Sequence, residues 1–182
     1  MRRSKILGLR WSDINFDQMC LSVIQTLQEV KSGYEIQSTK NKHSKLLIDL
    51  DKHTIEELKK HQKHQKQEKI KEFQNKDLNL IAATSNGNFL SPRNLARTWY
   101  RLLKKSELPK IRFHNLRHTH ATLMLEQGWH PKIVSERLGH SSITLTIDTY
   151  SHVIPSLQRE AAKDFGEMLF GSIKKNWYTL VR

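Results

Sequence analysis

The sequence predicts a mainly helical α+β protein that contains one small three-stranded antiparallel sheet. Residues 21–27 combine β-branched side chains with partial alternation of apolar and polar positions, which is typical of a strand. Ser91-Pro92 joins a good N-cap to a proline at the first helical position and predicts a helix start. Gly139 follows a short stretch with helical apolar spacing and fits the residue after a helix. Strand signals are confined to one region, and helix signals dominate the rest.

A short helix followed by the sheet is predicted for the first part of the chain. Residues 3–9 have helical spacing and end near Gly8. A turn at 31–33 and a polar loop at 39–44 separate three strand-like segments. These segments are predicted to pair as an antiparallel meander and cover residues 21–27, 34–38 and 45–50.

The remainder is predicted to be helical. A long, densely basic helix is expected over residues 54–73, and residues 85–88 form a turn. Further helices are bounded by proline, glycine or serine at their ends. They are predicted at residues 91–103, 114–127, 131–138, 142–150 and 156–169.

Composition indicates a basic protein with a polyanionic partner. Lys plus Arg outnumber Asp plus Glu by 31 to 18, and the net charge is +13 over 182 residues. This favours nucleic acid as the partner, with a basic protein that has no such partner as the plain alternative. The single cysteine, Cys20, excludes an internal disulfide and suits a reducing cytoplasm. No apolar run approaches the roughly 20 residues of a membrane span, and the N-terminal apolar stretch is too short for a signal peptide.

Side chains able to do chemistry concentrate between His114 and Tyr150. His114 and Arg117 are three residues apart, so they share one face of the predicted helix. Gly139 would leave His140 at the start of the turn that follows its helix. Arginine matches phosphate oxygens with a planar fork, and histidine moves protons near neutral pH. With the hydroxyl of Tyr150, this set points to a nucleophile that faces a phosphate.

Metal binding is a second interpretation of the same segment. His114, His118 and His120 cluster in sequence, but Arg117 lies among them and its fixed charge repels a metal ion. The spacing also differs from that of a zinc-protease helix. No metal site is therefore predicted, and His118, His120 and His152 are expected to have structural or capping roles.

A third interpretation is a helix-turn-helix that binds DNA without chemistry. Residues 131–150 contain a short helix, a glycine-containing turn and a second helix, as that motif does. In the second helix Ile143, Leu145 and Ile147 alternate with small polar residues, which is an unusual surface for a major groove. This non-catalytic DNA-binding function is kept as the alternative.

Five segments form a pattern along the chain. In order they are an arginine box at 2–14, a lysine-bearing hairpin at 39–45, a His-x-x-Arg box at 113–122, Leu138-Gly139-His140 at 138–142, and a tyrosine box at 148–152. With these segments the chain, from Arg2 to about Ala162, resembles the catalytic domain of the tyrosine recombinases, the phage-integrase family of site-specific recombinases.

The resemblance implies a role for each matching residue on the phosphate side of the reaction. Arg2 and Arg117 would bind the nonbridging oxygens, with His140 as a further donor. Tyr150 would attack the phosphorus and hold the DNA as a 3′-phosphotyrosine. A free tyrosine has a pKa of about 10, so it needs a base or cationic surroundings, and His114 would accept its proton.

The resemblance also implies how the leaving group departs. Lys42 aligns best as the hairpin lysine that protonates the leaving 5′-oxygen, and Lys40 and Lys45 are nearby alternatives. The phosphotyrosine keeps the bond energy, so neither ATP nor a metal nor another cofactor is required. A 5′-hydroxyl from a second duplex can then attack, which gives strand exchange.

The expected partners and setting follow from the same resemblance. The partner would be double-stranded DNA at attachment sites of a phage or mobile element, bound by a tetramer in the cytoplasm, at the nucleoid. Accessory DNA-bending or excision factors would assist. Residues 1–182 are expected to form an N-terminally truncated catalytic domain that lacks the upstream core-binding domain. This truncated chain is expected to bind DNA weakly and not to complete recombination alone. Lys5 stands where the family usually has an acidic residue.

Overall fold

The computed structural model describes residues 1–38, 46–71, 78–151 and 154–170, and it divides into two compact units. The first unit comprises Met1–Arg117 with Arg137–Gly139, and the second comprises His118–Glu136 with the chain from His140 onward. The helices are α1 (Arg3–Leu7), α2 (Lys52–Lys71), α3 (Pro92–Lys105), α4 (Asn115–Glu126), α5 (Pro131–Leu138), α6 (Ile143–Tyr150) and α7 (Ile154–Phe170), with a 3-10 turn at Trp11–Asp13. The strands are β1 (Ile14–Asn15), β2 (Cys20–Val23), β3 (Gln25–Val30), β4 (Gly33–Ser38) and β5 (Leu46–Asp49). This confirms a mainly helical protein with a small antiparallel sheet.

The strands pair differently from the predicted meander. A three-stranded sheet has the order β1-β2-β5, and β3 and β4 form a separate two-stranded sheet. All the pairs are antiparallel, with Leu21 opposite Ile48 in the larger sheet and Leu27 opposite Ile36 in the smaller one. The predicted pairing of 21–27 with the two later segments as one sheet is therefore wrong, because that segment breaks at Ile24 into two strands.

Contacts of β3 with α1 explain the break. The buried Gln25 side chain donates a 2.7 Å hydrogen bond from Nε2 to the Gly8 carbonyl oxygen. A Cβ at Gly8 would lie 2.9 Å from the backbone nitrogen of Leu27 and 3.0 Å from the carbonyl carbon of Thr26, so only glycine allows this approach. The chain leaves the larger sheet after Val23 because β3 packs against α1.

The core of the first unit lies between the larger sheet and α2. Its buried members are Leu9, Trp11, Ile14, Leu21, Val23, Ile48 and Ile55. The Trp11 indole Nε1 donates a 2.7 Å hydrogen bond to Oε1 of Gln65, which holds the middle of α2 to the start of the chain. In the part of the chain that the structure describes, none of the helices has the length and apolar character that a membrane crossing requires.

Local signals define the helices that carry the candidate site. Ser91 caps α3, and its Oγ accepts a 3.1 Å hydrogen bond from the Asn94 nitrogen, as predicted. Gly139 has φ +69°, and the His140 nitrogen donates a 3.0 Å bond to the Ser135 carbonyl oxygen. This is the bond of a glycine-terminated helix end, so the predicted end of α5 is confirmed.

Candidate functional site

Arg2 and His114 line one cavity in the first unit. The cavity has a volume of about 490 Å³, and Arg3 and Arg112 also contribute to its wall. Both Arg2 and His114 are exposed. The structure thus brings together two of the residues that the sequence predicted for the site, in a basic cavity large enough for a phosphate group.

The wall of this cavity is built by aromatic packing. Trp99 of α3 donates a 2.9 Å hydrogen bond from Nε1 to the Ile111 carbonyl oxygen. Its ring meets Phe113 edge-on, with ring centroids 5.7 Å apart. Because Phe113 directly precedes His114, these two contacts fix the chain at the point where the histidine enters the cavity wall. Arg2, another residue of the wall, lies at the start of α1, where its carbonyl oxygen accepts a 3.0 Å hydrogen bond from the Lys5 nitrogen.

Arg117 is buried, with 7% of its surface exposed. Its Nη1 donates a 2.7 Å hydrogen bond to the carbonyl oxygen of Leu138, at the end of α5. A hydrogen bond from a charged donor to a backbone carbonyl fixes the guanidinium plane. The first unit therefore holds Arg117 in one orientation through a residue of the predicted Leu-Gly-His segment.

The pKa of Lys5 indicates that positive charge is concentrated around these arginines. Burial, together with the charges of Arg2 and Arg117, lowers the pKa of the Lys5 ammonium from 10.5. Both arginines thus act electrostatically on the same lysine, which is the position where the sequence departs from the family pattern. A bound anion reduces the repulsion between like charges that are held together in this way. Phosphate suits paired arginines because each guanidinium can donate two hydrogen bonds to its oxygens.

The second unit contains Tyr150, whose side chain is only 3% exposed. Its hydroxyl lies 3.0 Å from Nδ1 of His118, and the two ring centroids are 5.9 Å apart. His118 itself is exposed. The predicted nucleophile is therefore buried, and its hydroxyl is in hydrogen-bond contact with a histidine that was predicted to have only a structural or capping role.

His140 contacts a residue that lies one helical turn before Tyr150 in α6. Its Nδ1 lies 2.7 Å from Oγ1 of Thr146, a residue of α6 with no exposed surface. Thr146 and Tyr150 are four residues apart, so they share one face of α6. The N-terminus of this helix is capped by Ser142, whose Oγ accepts a 3.4 Å hydrogen bond from the Leu145 nitrogen. In the second unit, Tyr150 and the threonine that contacts His140 thus lie on the same face of α6.

The remaining sequence predictions stand as follows. Lys42, with its alternatives Lys40 and Lys45, lies outside the described residues, and so does His152. Among the residues that the structure describes, no group of three or more His, Cys, Asp or Glu side chains is arranged to hold a metal ion. The catalytic roles of Arg2, Lys42, His114, Arg117, His140 and Tyr150 stay predictions.

Sequence reasoning missed the two partners, His118 and Thr146. The signal for Thr146 was present, because it is four residues before Tyr150 in a predicted helix. The contact of His118 had no local signal, since it lies 32 residues from Tyr150 along the chain.

Comparison with known proteins decides the family. The sequence model of the Phage integrase family matches residues 1–156. The chain belongs to this family. The matched range contains every residue predicted for the site, and the predicted resemblance is confirmed.

Proteins similar to this integrase-family chain include recombinases and integrases. It is 32% identical to the "Tyrosine recombinase XerC-like" protein of Caldanaerobacter subterraneus subsp. tengcongensis, over 92% of this chain and 46% of that protein. It is 27% identical to the ICEBs1 integrase of Bacillus subtilis, over 93% of this chain and 46% of that protein. The chain thus spans about half the length of these relatives. These matches do not favour the helix-turn-helix alternative.

Solved structures of the family share the fold. The Tn1549 transposon integrase in complex with circular intermediate DNA has a TM-score of 0.69 and 25% identity, over 82% of this chain and 51% of that chain. The crystal structure of XerA recombinase has a TM-score of 0.65 and 19% identity, over 88% of this chain and 52% of that one. The latter likeness concerns the fold alone.

Proposed function

We propose that this integrase-family chain is the catalytic domain, residues 1–182, of a site-specific DNA recombinase from a phage or another mobile element. It cuts a strand at an attachment site, keeps it as a 3′-phosphotyrosine and rejoins it to a different 5′-end. The observation that carries the proposal is the family match over residues 1–156, which spans all the predicted site residues. The net charge of +13 and the DNA complex of the Tn1549 integrase support a DNA substrate.

The proposed chemistry assigns the arginines to the phosphate. Arg2 and Arg117 hold the nonbridging oxygens, where negative charge builds as phosphorus is attacked. The support is their shared effect on the pKa of Lys5 and the fixed guanidinium of Arg117. His140, oriented by Thr146, donates a further hydrogen bond to the same oxygens.

Tyr150 and Lys42 carry the covalent step in this proposal. The phenolic oxygen of Tyr150 forms a bond to phosphorus and loses its proton to a histidine, while the 5′-oxygen leaves with a proton from Lys42. The phosphotyrosine conserves the energy of the phosphodiester, so ATP is not consumed, and the cationic side chains take the place of a metal ion.

The same proposal names the partners. Double-stranded attachment sites are the substrate, and the full protein self-associates on them as a tetramer, because two duplexes must each be cut twice for a complete exchange. Accessory DNA-bending or excision factors set the direction of the reaction.

A covalent-trapping assay tests the proposal. Duplexes that tile the DNA on either side of the gene are each given a nick beside the candidate cleavage position, so that the cut end diffuses away and cannot be rejoined. We expect one duplex to yield a protein–DNA adduct that forms in EDTA without ATP and is lost in Tyr150→Phe. Specific binding by the full-length protein without an adduct on any duplex would contradict the proposal and support the helix-turn-helix alternative.

A further inference from the structure

We propose that His118, rather than His114, is the residue that takes the proton from the Tyr150 hydroxyl during strand cleavage, an inference that rests on the proposed recombinase function. The sequence alone favoured His114 for this role. The contact that decides for His118 lies within one compact unit of the structure, between Nδ1 and the phenolic oxygen at 3.0 Å. That distance is within the range over which a general base abstracts a proton.

Burial of Tyr150 makes such a partner necessary. Only 3% of the tyrosine is exposed, so bulk water does not reach the hydroxyl freely enough to carry away its proton. In the tautomer that carries its proton on Nε2, His118 accepts the hydrogen bond from the phenol at Nδ1. The proton therefore already points at its acceptor before the phosphate is attacked.

Exposure of His118 makes it suitable as the acceptor. Once protonated at both nitrogens, the imidazolium still contacts solvent, because the residue is exposed. The cost of placing a charge in a dry interior is thus avoided. A hydrogen-bonded but fully buried histidine would hold Tyr150 equally well and would resist taking its proton.

His114 has a different task in this scheme. His114 lines the basic cavity of the first unit together with Arg2, which is assigned to phosphate binding. The histidine at the nucleophile and the histidine at the cavity wall then have separate tasks. His118 directly follows Arg117 in α4, so the phosphate-binding arginine and the base are neighbours in sequence.

The step balances without a further reactant. As the phenolic oxygen bonds to phosphorus, the O–H proton moves to Nδ1 of His118, the bond from phosphorus to the 5′-oxygen breaks, and that oxygen takes a proton from Lys42. In the joining step a 5′-hydroxyl attacks the phosphotyrosine, and the departing phenolate recovers its proton from His118. Lys42 is left neutral after cleavage and accepts the proton of the attacking hydroxyl.

Two substrates distinguish the loss of the general base from the loss of the general acid. The nicked duplex that traps the adduct is made in its ordinary form and with sulfur in place of the bridging 5′-oxygen. A thiolate leaves without a proton, since thiols are far stronger acids than alcohols. We expect His118→Gln to slow adduct formation by about 10²-fold or more on both duplexes. Lys42→Ala is expected to be slow on the oxygen duplex and to recover on the sulfur duplex.

Rescue by added imidazole separates chemistry from structure. We expect imidazole to restore part of the cleavage rate of His118→Gly and to leave His118→Gln unchanged, because only the glycine leaves room for a base beside Tyr150. His64→Gln replaces an exposed histidine of α2 and serves as the matched control, with a rate equal to that of the unaltered protein.

The outcomes are distinct. Cleavage by His118→Gln within about threefold of the unaltered protein, or a His118→Gln rate that recovers on the sulfur duplex, would overturn the role of His118 and leave the recombinase function standing. Failure of imidazole to rescue a folded His118→Gly also rejects proton transfer to this residue. Absence of any adduct with the unaltered full-length protein would reject the recombinase function and, with it, this role.

Discussion

The guanidinium of Arg117 donates a 2.7 Å hydrogen bond to the carbonyl oxygen of Leu138, the residue that precedes Gly139 and His140. This bond connects the His-x-x-Arg segment to the Leu-Gly-His segment within one compact unit. The acceptor is a backbone carbonyl at the end of α5, so this bond does not neutralise the charge of the guanidinium.

Arg117→Lys should therefore damage both stability and cleavage. A lysine loses the planar fork and the fixed hydrogen bond to Leu138, at a cost of about 1.5–3 kcal/mol. Adduct formation should fall by about 10²-fold or more, because one donor to the transition-state oxygens is lost. Urea denaturation and the trapping assay measure the two effects.

Arg137→Lys is the matched control for Arg117→Lys. Arg137 also donates to a backbone carbonyl, that of Asp49, at 3.0 Å, but this bond is at the surface. The expected change in stability is within about 0.5 kcal/mol, as for other surface substitutions. Equal losses in the two variants would show that the burial of Arg117 has no special effect.

Gly8→Ala should destabilise the first unit. The new Cβ would lie 2.9 Å from the Leu27 nitrogen and 3.0 Å from the carbonyl carbon of Thr26, and both atoms are backbone, so β3 must move away from α1. We expect a loss of about 1–3 kcal/mol, measured by chemical denaturation. Gly166→Ala, in α7, meets nothing within 4 Å and should be neutral or stabilise by up to about 1 kcal/mol. A Gly8→Ala protein as stable as the original would contradict the close approach.

Thr146→Val tests how His140 is oriented. The substitution keeps the shape of a fully buried side chain and removes the hydroxyl that lies 2.7 Å from Nδ1 of His140. A loss of about 1 kcal/mol in stability and a cleavage rate about tenfold lower are expected. Thr149→Val is the control, since its exposed hydroxyl donates a 2.6 Å hydrogen bond to the Leu145 carbonyl oxygen of its own helix. If both variants cleave DNA at the original rate, the bond to Thr146 does not orient His140.

Lys5 should make the stability of the protein depend on alkaline pH. Burial and the charges of Arg2 and Arg117 lower its pKa in the folded state from 10.5, so the unfolded chain binds the proton more tightly. Stability therefore rises as pH increases through the folded pKa towards 10.5. Lys5→Met removes this penalty, so its advantage over the original protein should be largest near neutral pH and shrink as pH rises.

Urea midpoints between pH 7 and pH 10 measure this effect, and Lys60→Met supplies the control. The pKa of Lys60 is raised by its hydrogen bond and ion pair with Glu57, so its charge is favoured in the folded state. Lys60→Met should give no stabilisation near neutral pH. A Lys5→Met advantage that stays constant with pH would mean that its cause is apolar packing and not repulsion between cations.

The helix ends were predictable because their signals are local. Ser91 accepts the hydrogen bond that an N-cap serine is expected to accept, and Gly139 has the positive φ that ends a helix. The strand pairing was not predictable, because the break at Ile24 depends on Gln25 reaching Gly8, a contact between residues 17 apart in sequence. Alternation along residues 21–27 could not reveal that the two halves of this segment join different sheets.

In the candidate site, too, local motifs were predictable and contacts between residues distant in sequence were not. The sequence located Tyr150 and Arg117 through short motifs that keep their spacing whatever surrounds them. The resemblance to the family implied that His114 would be the base, and His118 was predicted to have a structural or capping role. The contact between His118 and Tyr150 is tertiary, so only the folded chain brings the two rings within 5.9 Å.

Mass spectrometry of the trapped adduct tests the central claim most directly. After nuclease and protease digestion, the account predicts a nucleotide attached through its 3′-phosphate to the peptide that contains Tyr150, and to no peptide when Tyr150→Phe is used. A nucleotide found on another side chain, or an adduct of equal yield with Tyr150→Phe, would contradict the claim that Tyr150 is the nucleophile.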